Sequence, residues 1–210
     1  PEKEVLTEIL QSDMENIRGT MESLDKDAFS MAAELIQNAK KIYIVGIRSC
    51  EPLADFLGFY LNMLFDEVHV VRTNSASEIF EQLMRIGAGD VLIGISFPKY
   101  SMRTVKAMEL ANSRSAGVIS ITDSIHSPLN LYSSCNLIAR SEMASVVDSL
   151  TAPLSVINAL IVALCLKNQD SLKQSIETLD QLYDDYQIYG RDEMDPSGGE
   201  IEIFHQGSRV

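Results

Sequence analysis

The stretch Asp90-Val91-Leu92-Ile93-Gly94-Ile95-Ser96-Phe97-Pro98-Lys99-Tyr100-Ser101 decides the fold. Val91 to Ile95 is apolar, too short for a helix and rich in β-branched side chains, the pattern of a strand covered on both faces. Gly87-Ala88-Gly89-Asp90 marks where it starts. It then gives way to polar residues, and Ser96, Lys99, Ser101 and Thr104 arrive just as a helix begins. A helix N-terminus has orphan N–H donors and the positive end of its dipole, so hydroxyls delivered there suit an anion. Ser101 has a second reading, as a plain N-cap.

Working outward, the pattern alternates. Lys41 to Val45 is a short apolar strand, followed by the loop Gly46-Ile47-Arg48-Ser49-Cys50. Pro52 suits the first turn of a helix whose Leu53, Phe56, Leu57, Tyr60, Leu61 and Leu64 make a wide apolar face. Val68 to Val71 is a second strand, and Asn74-Ser75-Ala76-Ser77-Glu78 caps a helix expected to bury Ile79, Leu83 and Met84. Beyond the central strand come a helix from Ser101 to about Ser115, a fourth strand Val118 to Ile121 ending in Thr122-Asp123, and a short fifth, Asn136 to Ala139. Such alternation predicts an α/β fold: a five-stranded parallel sheet, doubly wound, with helices on both faces. Ligands of such sheets sit beyond the carboxyl ends of the strands, where Ser49, Ser96 and Thr122 fall.

The flanks are helical. Leu6, Leu10, Met14, Ile17, Met21 and Leu24 make one apolar stripe on a long first helix, and Asp25 caps a second over about 26–38. The stripe either packs on its own domain or serves as a dimer seam or linker. Residues 148–167 are apolar nearly all round, as in a core or interface helix, and Leu172, Ile176, Leu179, Tyr183 and Tyr186 stripe a last helix. The resulting division is 1–38, an N-terminal helical extension for linking or dimerisation; 39–168, the α/β domain; 169–189, a C-terminal helix; and 190–210, a polar tail. In the tail Ile201, Ile203 and Phe204 make either an added strand or a disordered end.

Composition narrows the function. The 210 residues are 46% hydrophobic, enough for one domain with extensions. With 17 Lys+Arg against 30 Asp+Glu the net charge is −13, which repels a phosphate polymer but not a small anion at a locally positive point. No apolar run suggests a membrane span or signal peptide. Cys50, Cys135 and Cys165 lack metal or redox spacing, which fits a reducing cytoplasm. His69, His126 and His205 are scattered, so no metal site and no cofactor is expected. Gly46-Ile47-Arg48-Ser49 is not a dinucleotide fingerprint, and no P-loop pattern occurs. Pro at position 1 means either a trimmed initiator Met or a piece of a longer protein.

Three segments together resemble the sugar isomerase (SIS) domain, and most closely the ligand-binding half of RpiR-type transcriptional regulators. They are Ala39-Lys40-Lys41-Ile42-Tyr43-Ile44-Val45-Gly46, then Ile95-Ser96-Phe97-Pro98-Lys99-Tyr100-Ser101, and Ile121-Thr122-Asp123 with Ser127-Pro128-Leu129. The resemblance runs from about Leu24 to Asn168. It implies a flavodoxin-like α-β-α sandwich that binds a small phosphorylated sugar or sugar derivative. It also implies a helix-turn-helix domain upstream of the first helix, through which alone DNA would be bound. The family's phosphate loop commonly reads Ser-x-Ser-Gly-x-Thr. Here Ser96 and Ser101 keep the outer hydroxyls, while Pro98 lacks an N–H and Lys99 resists a glycine-only backbone.

Ser49 matches the family's first-loop serine. Arg48 either reaches the anion or lies on the surface, and Lys99 is either a point charge for phosphate or a solvated lysine. The expected binding residues are therefore Arg48, Ser49, Ser96, Lys99, Ser101, Thr104 and Thr122. An aldose–ketose isomerase would need a base, for which Glu51, Glu78 and Glu142 are candidates, each also explained as a helix-start carboxylate. No acid–base pair stands out, so a sensing domain is expected before an enzyme, and a homodimer or higher homo-oligomer before a monomer.

Overall fold

The computed structural model describes residues 2–72, 75–143 and 146–186, with only the backbone of Ala76. Two units divide the chain, Pro1–Leu172 and Lys173–Val210. Five parallel strands form one sheet in the order β2-β1-β3-β4-β5: β1 Ile42–Gly46, β2 Val68–Val70, β3 Val91–Ile95, β4 Gly117–Thr122 and β5 Cys135–Ile138. The helices are α1 Glu2–Ser23, α2 Lys26–Gln37, α3 Glu51–Leu61, α4 Ala76–Gln82, α5 Met102–Ser113, α6 Thr151–Lys167 and α7 Gln169–Tyr186. The expected five-stranded doubly wound sheet is thus present. Strand ends differ from the sequence reading by a residue or so, as hydrogen bonding rather than hydropathy sets them.

From β1 the chain moves outward to β2, then returns to the other side of β1 for β3, β4 and β5. The winding reverses between β1 and β3, so their carboxyl ends flank the crevice where such sheets hold ligands. Strand alternation sends Ile44, Ile93, Ile95, Ile119 and Ile121 to a core shared with α2, α3 and α6. Tyr43, Val45, Leu92 and Val118 go to a second core with α4 and α5. Gly94 faces α5: a Cβ there would lie 2.4 Å from Met108 Sδ, so its absence lets α5 settle close on β3. That close approach brings the start of α5 to the end of β3.

Several expectations change. Leu64 lies past the end of α3 yet is buried, whereas Met84, expected inside, is exposed because α4 is short and the chain turns away after Leu83. Asn74 and the tail residues Ile201, Ile203 and Phe204 lie outside the described residues. The helix read from position 148 starts at Thr151, leaving 148–150 as a loop. No single helix among the described residues is long and apolar enough to cross a membrane.

The first helix docks the opposite way from an ordinary amphipathic helix. Its buried residues are Asn16, Gly19 and Thr20, while Leu6, Leu10, Met14, Ile17 and Met21 are exposed. The apolar stripe therefore does not pack on its own domain, and only Leu24, just past the helix, joins the core. Polar bonds hold α1 instead. Asn16 Nδ2 donates to the Glu142 carbonyl at 3.0 Å, and the Glu142 N–H returns a bond to Asn16 Oδ1 at 3.1 Å. Thr20 Oγ1 accepts from the Arg140 N–H at 2.8 Å, and Ser149 Oγ donates to Asp13 Oδ1 at 2.6 Å. All of these fasten α1 to the chain between β5 and α6.

Candidate functional site

The cleft at the switch point is built from two turns. After β1 the chain folds into a single 3-10 turn, Arg48–Cys50, before Pro52 opens α3. Gly46 is needed at the entry, because a Cβ there would sit 2.5 Å from the Cys50 carbonyl oxygen. Across the crevice β3 ends at Ile95 and the loop 96–101 leads into α5. Within that loop the Ser101 N–H donates to Ser96 Oγ at 3.0 Å, and Ser101 Oγ accepts from the Thr104 N–H at 3.4 Å. Ser101 is thus the N-cap of α5 and a cleft residue at once, so the two readings of it are compatible.

Tyr100 anchors the loop from behind. Its hydroxyl donates to Asp123 Oδ1 at 2.7 Å, and burial with that carboxylate pushes its pKa up to about 12, so the donor stays protonated. Lys99 has φ +67 and Arg48 φ +60. A lysine ordinarily resists this backbone, yet Lys99 adopts it: the bonds of Ser96 and Tyr100 fix the loop on either side. Both left-handed residues line the cleft, where strain of this kind commonly collects. Lys99→Gly is accordingly expected to raise stability by about 0.5–1 kcal/mol, the left-handed penalty relieved less the added freedom of the unfolded chain. Urea unfolding checks this, and an unchanged midpoint would mean that the loop is not strained.

Arg48, Ser49, Ser96, Lys99 and Ser101 all line one cleft of about 140 Å³, an order of magnitude more than one water requires. Thr104 and Thr122 do not line it, although the sequence grouped them with the others. Thr104 is fully buried one turn into α5, and its Oγ1 is the buried side-chain oxygen left without a partner among the described residues. Thr122 is fully buried too, its Oγ1 lying 2.9 Å from Ser127 Oγ, where it ties down the turn after β4. Both point inward because alternation along an element, not proximity in sequence, sets side-chain direction.

Of the lining residues missed from sequence, two come from far along the chain. Asp148 and Val146 come from the chain before α6, and Ser49 Oγ donates to Asp148 Oδ2 at 2.7 Å. Reading 148–167 as one helix hid Asp148, although Asp148-Ser149 followed by Pro153 was an available sign of a helix start. Of the carboxylates considered as bases, none lines the cleft: Glu51 begins α3, Glu78 completes the capping box of α4 with Ser75, and exposed Glu142 lies 3.9 Å from Arg140 Nη1. Cys50, at the cleft floor, is held protonated by burial, its pKa pushed up to about 11. Among the described residues no cluster of His, Cys, Asp or Glu is grouped to hold a metal ion.

The geometry can be set beside known proteins. The SIS domain family model matches residues 35–163, more than half of the chain. The HTH-type transcriptional regulator HexR of Escherichia coli (strain K12) is 27% identical over 193 residues, covering 86% of this chain and 64% of HexR. The chain thus spans under two thirds of the length of that relative. The sugar isomerase domain of the RpiR transcription factor from Sphaerobacter thermophilus has the same fold, with a TM-score of 0.79 at 24% identity, covering 83% of this chain and 97% of that one. The Vibrio vulnificus NanR protein, solved in complex with ManNAc-6P, superposes with a TM-score of 0.74 at 19% identity, covering 85% of this chain and 69% of that one. The phosphoheptose isomerase GmhA from Neisseria gonorrhoeae also shares the fold, with a TM-score of 0.68 at 17% identity, covering 78% of this chain and 99% of that one. With strands, crevice and family model in agreement, the chain belongs to the SIS domain family.

Proposed function

We propose that this chain is the phosphosugar-sensing domain of an RpiR-type regulator of carbohydrate metabolism. It works in the cytoplasm as a homodimer and acts on DNA through a helix-turn-helix domain upstream. The observation that carries the reading is the convergence of Ser96, Ser101, Lys99, Arg48 and the start of α5 on one cleft at the switch point. A phosphate there meets free N–H groups, hydroxyl donors and two cations, while the rest of the chain is too acidic to attract a polyanion. The likeness to regulators, and the part of HexR that the chain leaves unmatched, support a DNA-binding domain elsewhere in the whole protein. A thermal-shift panel of sugar phosphates tests the reading, since a ligand at a hundred times its Kd stabilises by about 2.7 kcal/mol. No shift with any sugar phosphate would overturn it.

An isomerase is the second reading, because one carboxylate, Asp148, does line the cleft. Base catalysis would need it over the sugar carbons, with a matching acid. Incubation with each ligand that binds, followed by NMR, is expected to show no aldose–ketose interconversion. Turnover abolished by Asp148→Asn would make the chain an enzyme.

A further inference from the structure

Among the described residues Asp148 is the one acid in the cleft wall, and it is built in rather than loosely placed. Next to it, Ser149 Oγ bonds to Asp13 Oδ1 at 2.6 Å and accepts from Asn16 Nδ2 at 3.2 Å, while Ser141 Oγ donates to the Ser149 carbonyl at 2.7 Å. Resting on the phosphosugar reading, the geometry points to Asp148 as a specificity-determining residue. It makes the β1 side of the cleft an acceptor end that takes hydroxyl or ammonium groups of the sugar body and turns away sugar phosphates carrying a second acid group.

The argument starts from a single proton. A serine hydroxyl donates once, and Ser49 gives that bond to Asp148 Oδ2 at 2.7 Å. A phosphate oxygen seeking the same proton would lie beside a carboxylate, so Ser49 is not where the phosphate sits. The anion belongs on the β3 side, with Ser96, Lys99, Ser101 and the first N–H groups of α5. The ligand body then extends toward the β1 turn. There a carboxylate whose one bond among the described residues is to Ser49 accepts only; it matches O–H and N–H donors and opposes another carboxylate. Arg48, exposed at the rim, attracts any anion and so does not distinguish one acid group from two. Discrimination falls to Asp148, because like charges brought together in a cleft reject the wrong ligand more sharply than extra contacts select the right one.

Calorimetry on the full chain tests this with matched probes: the 6-phosphates of glucose, mannose and galactose, their 2-amino forms, the corresponding aldonic acid 6-phosphates, and inorganic phosphate. The wild type is expected to bind the neutral or amino member of a set about tenfold or more tighter than the acid member. Asp148→Asn keeps an acceptor for Ser49 but removes the charge. It is expected to bring that ratio to about twofold, chiefly through tighter binding of the acid member. Equal or tighter binding of acid members by the wild type, or a ratio unmoved in Asp148→Asn, overturns the inference and leaves the phosphate site standing. Binding of inorganic phosphate but of no sugar phosphate overturns it as well. If no probe binds, inorganic phosphate included, the phosphosugar reading fails and this inference with it.

Discussion

Ser96→Ala is expected to weaken phosphosugar binding by about ten- to a hundredfold, which is a charge-assisted hydrogen bond of about 1.5–3 kcal/mol expressed as affinity. Ser96 Oγ accepts from the Ser101 N–H, so its own proton is left to point into the cleft. Removing the oxygen deletes that donor and leaves the Ser101 N–H to find another partner. The fold should survive, because Ser96 follows the end of β3 and none of the strand pairing depends on its side chain. Ser101→Ala gives a different signature. It removes both a cleft hydroxyl and the N-cap of α5, so a stability loss of about 0.5–2 kcal/mol accompanies the weaker binding. Calorimetry with whichever sugar phosphate the thermal panel selects, alongside urea unfolding, separates the two. Unchanged affinity in both variants would move the anion out of this cleft.

The second large effect is on assembly. Leu10, Met14, Ile17 and Met21 are 55%, 60%, 38% and 72% exposed, along one side of a helix docked by its polar side. Their spacing of four, three and four is that of a coiled-coil seam, which is self-complementary between two copies of one helix. A buried leucine or isoleucine contributes about 1.5–3 kcal/mol, so a seam of this length supports a dimer at micromolar concentration. Sedimentation of the wild type is expected to give a dimer, and Leu10→Asp/Ile17→Asp is expected to weaken it by at least about a hundredfold through two unpaired charges in each half of the seam. The variant is a clean probe because both side chains already face solvent in the single chain. A wild-type monomer would refute the proposal, and a dimer indifferent to the substitutions would move the interface to another face, such as the exposed Val162 and Leu166 of α6.

The sheet was legible because Val91–Ile95, with Ile42–Val45 and Val118–Ile121, are runs that only a doubly covered strand tolerates. Its switch point, and with it Ser49 and Ser96, followed from connectivity alone. Thr104 and Thr122 fall outside the cleft because sequence neighbourhood does not say which way a side chain points. The pairing of Asp148 with Ser49 was hidden for a different reason. The two meet across 99 positions of chain, and nothing local to either residue encodes that bond. The docking of α1 was obscured in the same way: hydropathy marks the apolar stripe, whereas the face that docks is Asn16, Gly19 and Thr20, whose partners lie more than a hundred residues away.

That polar attachment gives α1 the geometry of a lever. Its hydrogen-bonded fulcrum, from Asp13 to Thr20, grips the very segment that carries Asp148 on the cleft wall. From Asp13 to Glu2 the helix runs on for about 16 Å at the helical rise. Tilting the fulcrum by about ten degrees sweeps the tip of that stretch through about 3 Å. By that geometry, a displacement of about an ångström at the ends of the grip would be enlarged about threefold at the amino end of the helix.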